Sequence, residues 1–172
     1  MRILMLLCVL TGCSWKGKIK NLSDTEFDHY SALKVYMDGE SPWSEPSRKT
    51  YLKLKTQEER DTYLKEYKLW DRFYKYEPHI QELIVSYQVQ AGWTKDMVEM
   101  SWGIPYDKRK LVGRQAVRSE LWVYRFEEHE NGDLFIWEPN SKSAYKAIRF
   151  LEQEVIMDDD VVIDIKQKKG SW

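Results

Sequence analysis

The chain has 172 residues, 42% of them hydrophobic and 32% charged, with a formal net charge of −1. That length fits one modest domain with an appendage, and a near-neutral balance disfavours wholesale nucleic-acid binding. Eight Trp and eleven Tyr put a real core within reach despite the charge, because each aromatic side chain buries a large area.

The first residues read as a processing signal. Arg2 supplies a minimal positive start, and Ile3 to Leu10 form an apolar run. That run is far short of the roughly 20 residues that span a bilayer, so a signal rather than a permanent transmembrane helix is expected. Leu10-Thr11-Gly12-Cys13 resembles the lipobox of bacterial lipoproteins. The resemblance implies removal of residues 1–12 and lipidation of Cys13 as the new N-terminus. Ser14, in place of Asp, implies sorting to the outer membrane with the body facing the periplasm. After processing, 26 basic residues would stand against 28 acidic ones, and no thiol would remain for a disulfide, a nucleophile or a Cys-rich metal site. Residues 13–22, with Lys16, Gly17, Lys18 and Lys20, read as a tether. Its lysines either touch anionic head groups or are simply solvated.

Residues 23–90 are expected to be helical. Ser23-Asp24-Thr25-Glu26 is a capping box, followed by Phe27, Tyr30, Leu33 and Met37 at helical spacing up to Gly39. Ser41 to Pro46 reads as a loop, with Pro46 opening a short helix through Tyr51 and Leu52. Thr56-Gln57-Glu58-Glu59 is a second capping box. Tyr63, Tyr67, Trp70 and Tyr74 then predict one amphipathic helix that continues to Pro78. Ile80, Leu83, Ile84 and Tyr87 predict another, running toward Gly92.

Residues 91–168 contain the most strongly specified stretch. Thr94 can cap a helix beginning at Lys95, and Asp96 suits the positive end of its dipole. Met97, Val98, Ser101 and Trp102 make an apolar stripe, Gly103 fits a left-handed terminus, and Pro105 prevents continuation. So short a helix is unstable alone and must dock on something. The expected platform begins with the strand Leu121 to Phe126, paired with Leu134 to Trp137 through Asn131-Gly132. A third strand is expected over residues 145–151, and a last hairpin joins Val155–Met157 to Val161–Ile165 across Asp158-Asp159-Asp160. The fold class is therefore α+β: N-terminal helices, then a short helix packed on a three- to four-stranded antiparallel sheet.

Between helix and sheet lies the one locally basic run, with Lys108, Arg109, Lys110 and Arg114. It reads as a long connection whose cations can engage phosphates, head groups or glycans, or serve solubility alone. Other chemistry is hard to find. His29, His79 and His129 lie fifty residues apart in different elements, outside any paired-ligand frame, so no metal site is expected. Asp158-Asp159-Asp160 lacks the Gly and Glu positions of a calcium loop. Glu127 and Glu128 share a strand and face opposite sides, so they cannot cooperate as acid and base. No nucleophile elbow, phosphate loop or dinucleotide fingerprint occurs. No catalytic residue and no cofactor is assigned, and the Trp and Tyr content suits a partner-binding surface.

The lipobox, Gly92-x-Thr94, Val98, Gly103-x-Pro105 and Trp122-x-Tyr124 together resemble the SmpA/OmlA (BamE-like) family of small outer-membrane lipoproteins. The motif set covers residues 90–126. It implies helices packed on a three-stranded antiparallel sheet, no enzymatic activity, and work as an accessory scaffold for the machinery that inserts β-barrels into the outer membrane. The chain departs from the family in its aromatic-rich helical lead and in an extra hairpin strand around Phe135. The expected partner is thus an envelope protein complex, with membrane attachment through the lipid and no nucleic acid. A lipid- or glycan-binding module is one alternative, and a periplasmic inhibitor-type domain, which shares the fold, is another.

Overall fold

The computed structural model describes residues 15–37, 44–112, 118–137 and 147–170. Cys13, Arg114 and the start of the expected third strand lie outside the described residues. Helices α1 (Trp15–Ile19), α2 (Asp24–Leu33), α3 (Arg48–Tyr51), α4 (Gln57–Glu66), α5 (Leu69–Tyr74) and α6 (Pro78–Val85) precede α7 (Lys95–Trp102), with a 3-10 turn at Lys34–Tyr36. Strands β1 (Asp107–Lys110), β2 (Ser119–His129), β3 (Leu134–Ile136), β4 (Ala147–Asp158) and β5 (Val161–Lys169) form one antiparallel sheet. Its order is β1-β2-β4-β5, with β3 pairing β2 beyond the end of β1.

Both capping boxes form: the Ser23 hydroxyl accepts from Glu26 N–H and the Thr56 hydroxyl from Glu59 N–H, with each glutamate reaching back. The segment expected as a bare tether is helical at Trp15–Ile19, and Ile19 and Leu22 pack against the core. The single helix predicted over 57–77 is two, broken where Lys68 takes φ 57°. No Gly or Pro marks that break. Restarting at Leu69 buries Leu69 and Phe73 and leaves Tyr74 40% exposed, whereas an uninterrupted period would have buried Tyr74.

The sheet has five strands. The basic run, read as a connection, supplies β1, whose Asp107–Lys110 pairs with Val123–Glu120. Its four charged residues carry no alternating apolar signal, which is why periodicity misses it. Strands predicted separately at 145–151 and 155–157 are one, β4. The polar Glu152-Gln153-Glu154 that reads as an interruption sits in register with Arg125 to Val123, and Arg125 and Lys168 pair ionically with Glu152 and Glu154. At the β4–β5 turn Asp159 and Asp160 both have positive φ, 46° and 67°, the backbone of a tight two-residue hairpin. In the β2–β3 loop only Gly132 has positive φ, 84°, so Asn131 does not contribute the left-handed residue expected of it.

One face of the sheet carries Trp122, Tyr124 and Phe126 of β2, Leu151, Val155 and Met157 of β4, and Val162 of β5, all buried. Helix α7 lies on this face with Met97, Val98, Met100 and Trp102 buried, and the ring of Trp102 meets Tyr124 and Phe126 edge-on at 5.2 and 5.1 Å. The same core runs on into the helices through Leu33, Tyr51, Leu64 and Ile84. Each of the aliphatic side chains among them contributes about 1.5–3 kcal/mol by leaving water.

Candidate interaction site

Gly92, Thr94, Val98, Gly103, Pro105, Trp122 and Tyr124 are all described, and together they build the joint between α7 and the sheet. Gly92 takes φ 87° and donates its N–H to Val162 O at 2.8 Å, which brings the chain onto the edge of β5. Thr94 bridges Val161, and its hydroxyl accepts from Met97 N–H as the helix cap. Val98 is fully buried. Gly103 ends the helix at φ 75°, ψ −155°, and its carbonyl accepts the Tyr124 hydroxyl at 2.9 Å. Trp122 lies flat beneath cations: Lys108 Nζ is 4.0 Å from its ring centroid, and its indole N–H donates to Glu120 at 2.9 Å. Pro105 is buried beside them.

Strand alternation sets Arg109 on the face opposite Lys108 and Lys110, and each of the three stands beside a carboxylate. Lys108 pairs with Glu99 at 3.3 Å on the helix side, and Arg109 pairs with Asp107 at 2.6 Å. Lys110 borders a shallow polar hollow with Arg118, Glu120, Asp159 and Asp160, so carboxylates stand next to it. The histidines stay apart. His29 is buried, His79 is exposed, and His129 meets the Phe135 ring at a 35° tilt with centroids 4.4 Å apart. Glu127 is fully buried, its carboxylate without a hydrogen-bond partner and 4.0 Å from His129 Nε2, while Glu128 pairs with Arg149.

Sequence reasoning missed the polar hub that locks the helical region to α7. Asp96 accepts from the Tyr36 hydroxyl at 2.7 Å, Arg72 at 2.9 Å, Lys75 at 2.7 Å and the Tyr76 hydroxyl at 3.1 Å. Burial alone would push the Asp96 carboxyl up, but Lys75, Tyr36 and Arg72 outweigh it and hold it below the usual carboxylate range. Its donors come from two stretches distant in sequence, Tyr36 and Arg72 to Tyr76, so no local motif could announce them.

Beside the joint opens a cleft of about 450 Å³. The helical region gives it Lys34, Val35, Met37 and Arg48; the end of α7 and the turn after it give Trp102 to Tyr106; β3 and its successor give Ile136 and Trp137. Ile104 is 72% and Tyr106 50% exposed at its mouth. Behind Tyr106 the Arg125 guanidinium lies 3.5 Å from the ring centroid, and Tyr106 meets Trp137 edge-on at 5.6 Å. Burial volume, apolar walls and a few polar groups at the rim are the features of a recognition site. Aromatic rings with arginine are the side chains that dominate interface energetics. The cleft was not legible in the sequence, because its walls are brought together from residues 34–48, 102–106 and 136–137.

No family model matches the chain, and neither the curated proteins nor the solved structures contain a match to it.

Proposed function

We propose that this chain is a lipid-anchored, periplasm-facing module of the outer membrane that works without catalysis, by docking on another envelope protein. The observation that carries this reading is the open apolar cleft at the α7–sheet joint, with Ile104 and Tyr106 exposed at its mouth. On α7, whose end lines the cleft, Asp96 and Glu99 are both committed to internal ion pairs. The lipobox-like Leu10 to Cys13 supports the address, and the residues shared with the SmpA/OmlA (BamE-like) pattern support a role in outer-membrane protein assembly. Binding of anionic lipid or glycan by Lys108, Arg109, Lys110 and Arg114 has less support, since Lys108 and Arg109 are paired with neighbouring carboxylates.

Affinity purification of the lipidated protein from gently solubilised outer membranes, with partners identified by mass spectrometry, tests the proposal. Stoichiometric recovery of an envelope protein is the expected result; recovery of none ends the module reading. Cys13→Ser should release the protein from the membrane fraction, and its persistence there would end the anchor reading.

A further inference from the structure

A free tether over residues 13–22 would stretch to about 35 Å, at roughly 3.3–3.6 Å per residue. The fold removes most of that reach. Trp15–Ile19 is helical, and Ile19 and Leu22 pack against the core. Asn21 N–H donates to Lys18 O and Leu22 N–H to Ile19 O, each at 3.2 Å, and Ser23 follows at once as the cap of α2. No slack is left between α1 and the body.

After the cleavage point implied by the lipobox, only Cys13 and Ser14 stand before the helix. From Cys13 to Trp15 the chain spans at most about 7 Å, and a helix rises about 1.5 Å per residue, so Ile19 lies within about 13 Å of Cys13. The head-group layer of one leaflet is itself about 5–8 Å deep. A lipid on Cys13 therefore keeps the start of the body within reach of the head groups, where a free tether would let it stand off.

The charge suits that position. Residues 13–23 contain Lys16, Lys18 and Lys20 and no carboxylate. Lys20 is exposed and Lys18 half-buried, and among the described residues neither ammonium has an ion pair or a hydrogen bond. Lysines elsewhere are answered internally: Lys75, Lys95, Lys108 and Lys168 each meet a carboxylate.

We infer that Lys18 and Lys20 seat the body directly on the anionic phospholipid head groups of the membrane that holds the anchor. The covalent distance selects this occupant, because the head groups are the one anionic surface that a lipid on Cys13 brings to α1 whatever else the protein binds. Each lysine near an anionic surface should favour the seated state about fivefold. The inference rests on the anchor reading above and adds which side of the body meets the membrane.

The test uses the lipidated protein in vesicles of phosphatidylcholine alone or mixed with phosphatidylserine, which differ in head-group charge. Asn21→Cys carries a bimane label, the Cys13 sulfur being taken up by its lipid, and the vesicles carry a nitroxide quencher on the head group. Quenching should be strong on the anionic vesicles and weak on the neutral ones. Lys18→Gln with Lys20→Gln should lower the ratio of seated to free label on anionic vesicles about 25-fold, with an unchanged melting curve verifying the fold.

Vesicle-bound protein whose label stays unquenched on both compositions would overturn the seating and leave the anchor reading standing. Quenching equal on both and indifferent to the lysine substitutions would overturn the head-group contact, since the short tether alone would account for it. An intact-mass measurement that finds no lipid on Cys13 would remove the anchor reading and the seating together.

Discussion

The Tyr36 hydroxyl donates to Asp96 Oδ1 at 2.7 Å, across sixty residues of chain, and so ties the turn after α2 to the first turn of α7. Arg72 and Lys75 of the α5 region close on the same carboxylate, and Arg72 stacks over the Tyr36 ring at 4.1 Å. Sequence reading gives Asp96 the modest task of complementing a helix dipole. The fold uses it to hold the helical region against the helix-on-sheet unit, and the cleft lies between the two.

Asp96→Ala should therefore destabilise the protein by about 1–3 kcal/mol, the range for leaving buried or charged donors without their acceptor. The Asp96 pKa is depressed in the folded state, so its contribution is present above the unfolded value of about 3.9 and is lost as pH falls through the folded one. Urea unfolding at pH 7 and near pH 3 should show a gap between wild type and variant that narrows in acid. A gap independent of pH would reject the ionic account.

His29 gives a dependence of the opposite origin at higher pH. It shares a hydrogen bond of 2.6 Å with the Tyr74 hydroxyl, is packed among Trp70, Phe73 and Tyr74, and its Nδ1 is 3.8 Å from Asp61. Burial pushes its pKa down, more than Asp61, Asp28 and Glu26 pull it up. Below about pH 6.5 the unfolded chain then takes up a proton that the folded one refuses, and stability falls as pH drops. Thermal melts from pH 7.5 to 5 should show a loss of at most about 1.4 kcal/mol per pH unit from this group. His29→Phe should flatten that slope, and an equal slope in the variant would assign it elsewhere.

Glu26 and Arg60 form a buried ion pair, each less than a tenth exposed, with Glu26 also accepting from Ser23 N–H at 2.7 Å. Arg60→Met alone should cost about 3–5 kcal/mol because it strands the Glu26 charge. Adding Glu26→Gln, which keeps the cap, should recover at least half of that loss. Denaturant midpoints of the two variants decide the matter, and equal losses would mean that packing of the Arg60 stem is the larger effect.

Gly103 tolerates a side chain poorly, since φ 75° with ψ −155° is open to glycine almost alone. Gly103→Ala should cost about 1–3 kcal/mol although the space around it is free, the penalty being backbone strain. Tyr124→Phe removes only the hydroxyl that Gly103 O accepts and should cost about 0.5–1.5 kcal/mol. Melting temperatures of the two variants should fall in that order.

Local physics accounts for what could be read from the chain alone. Ser23, Thr56 and Thr94 announce helix starts because a cap is satisfied within three residues, and Gly103 announces an end for the same reason. The hairpin around Gly132 and the turn at Asp159-Asp160 are equally local. Reading failed where the deciding partner was distant. Lys68 breaks a helix that periodicity continues, β1 forms from charged residues with β2 as its only reason, and β4 runs unbroken through polar residues answered by Arg125 and Lys168.

The sequence by itself determined the helix-on-sheet class, the limits of α7 and the motif residues of its joint, because caps, turns and alternating faces are short-range. Tertiary structure alone decided the Asp96 hub, the placement of the basic residues beside carboxylates, and the cleft. Those depend on groups up to about a hundred residues apart meeting in space, and no local pattern encodes such a meeting.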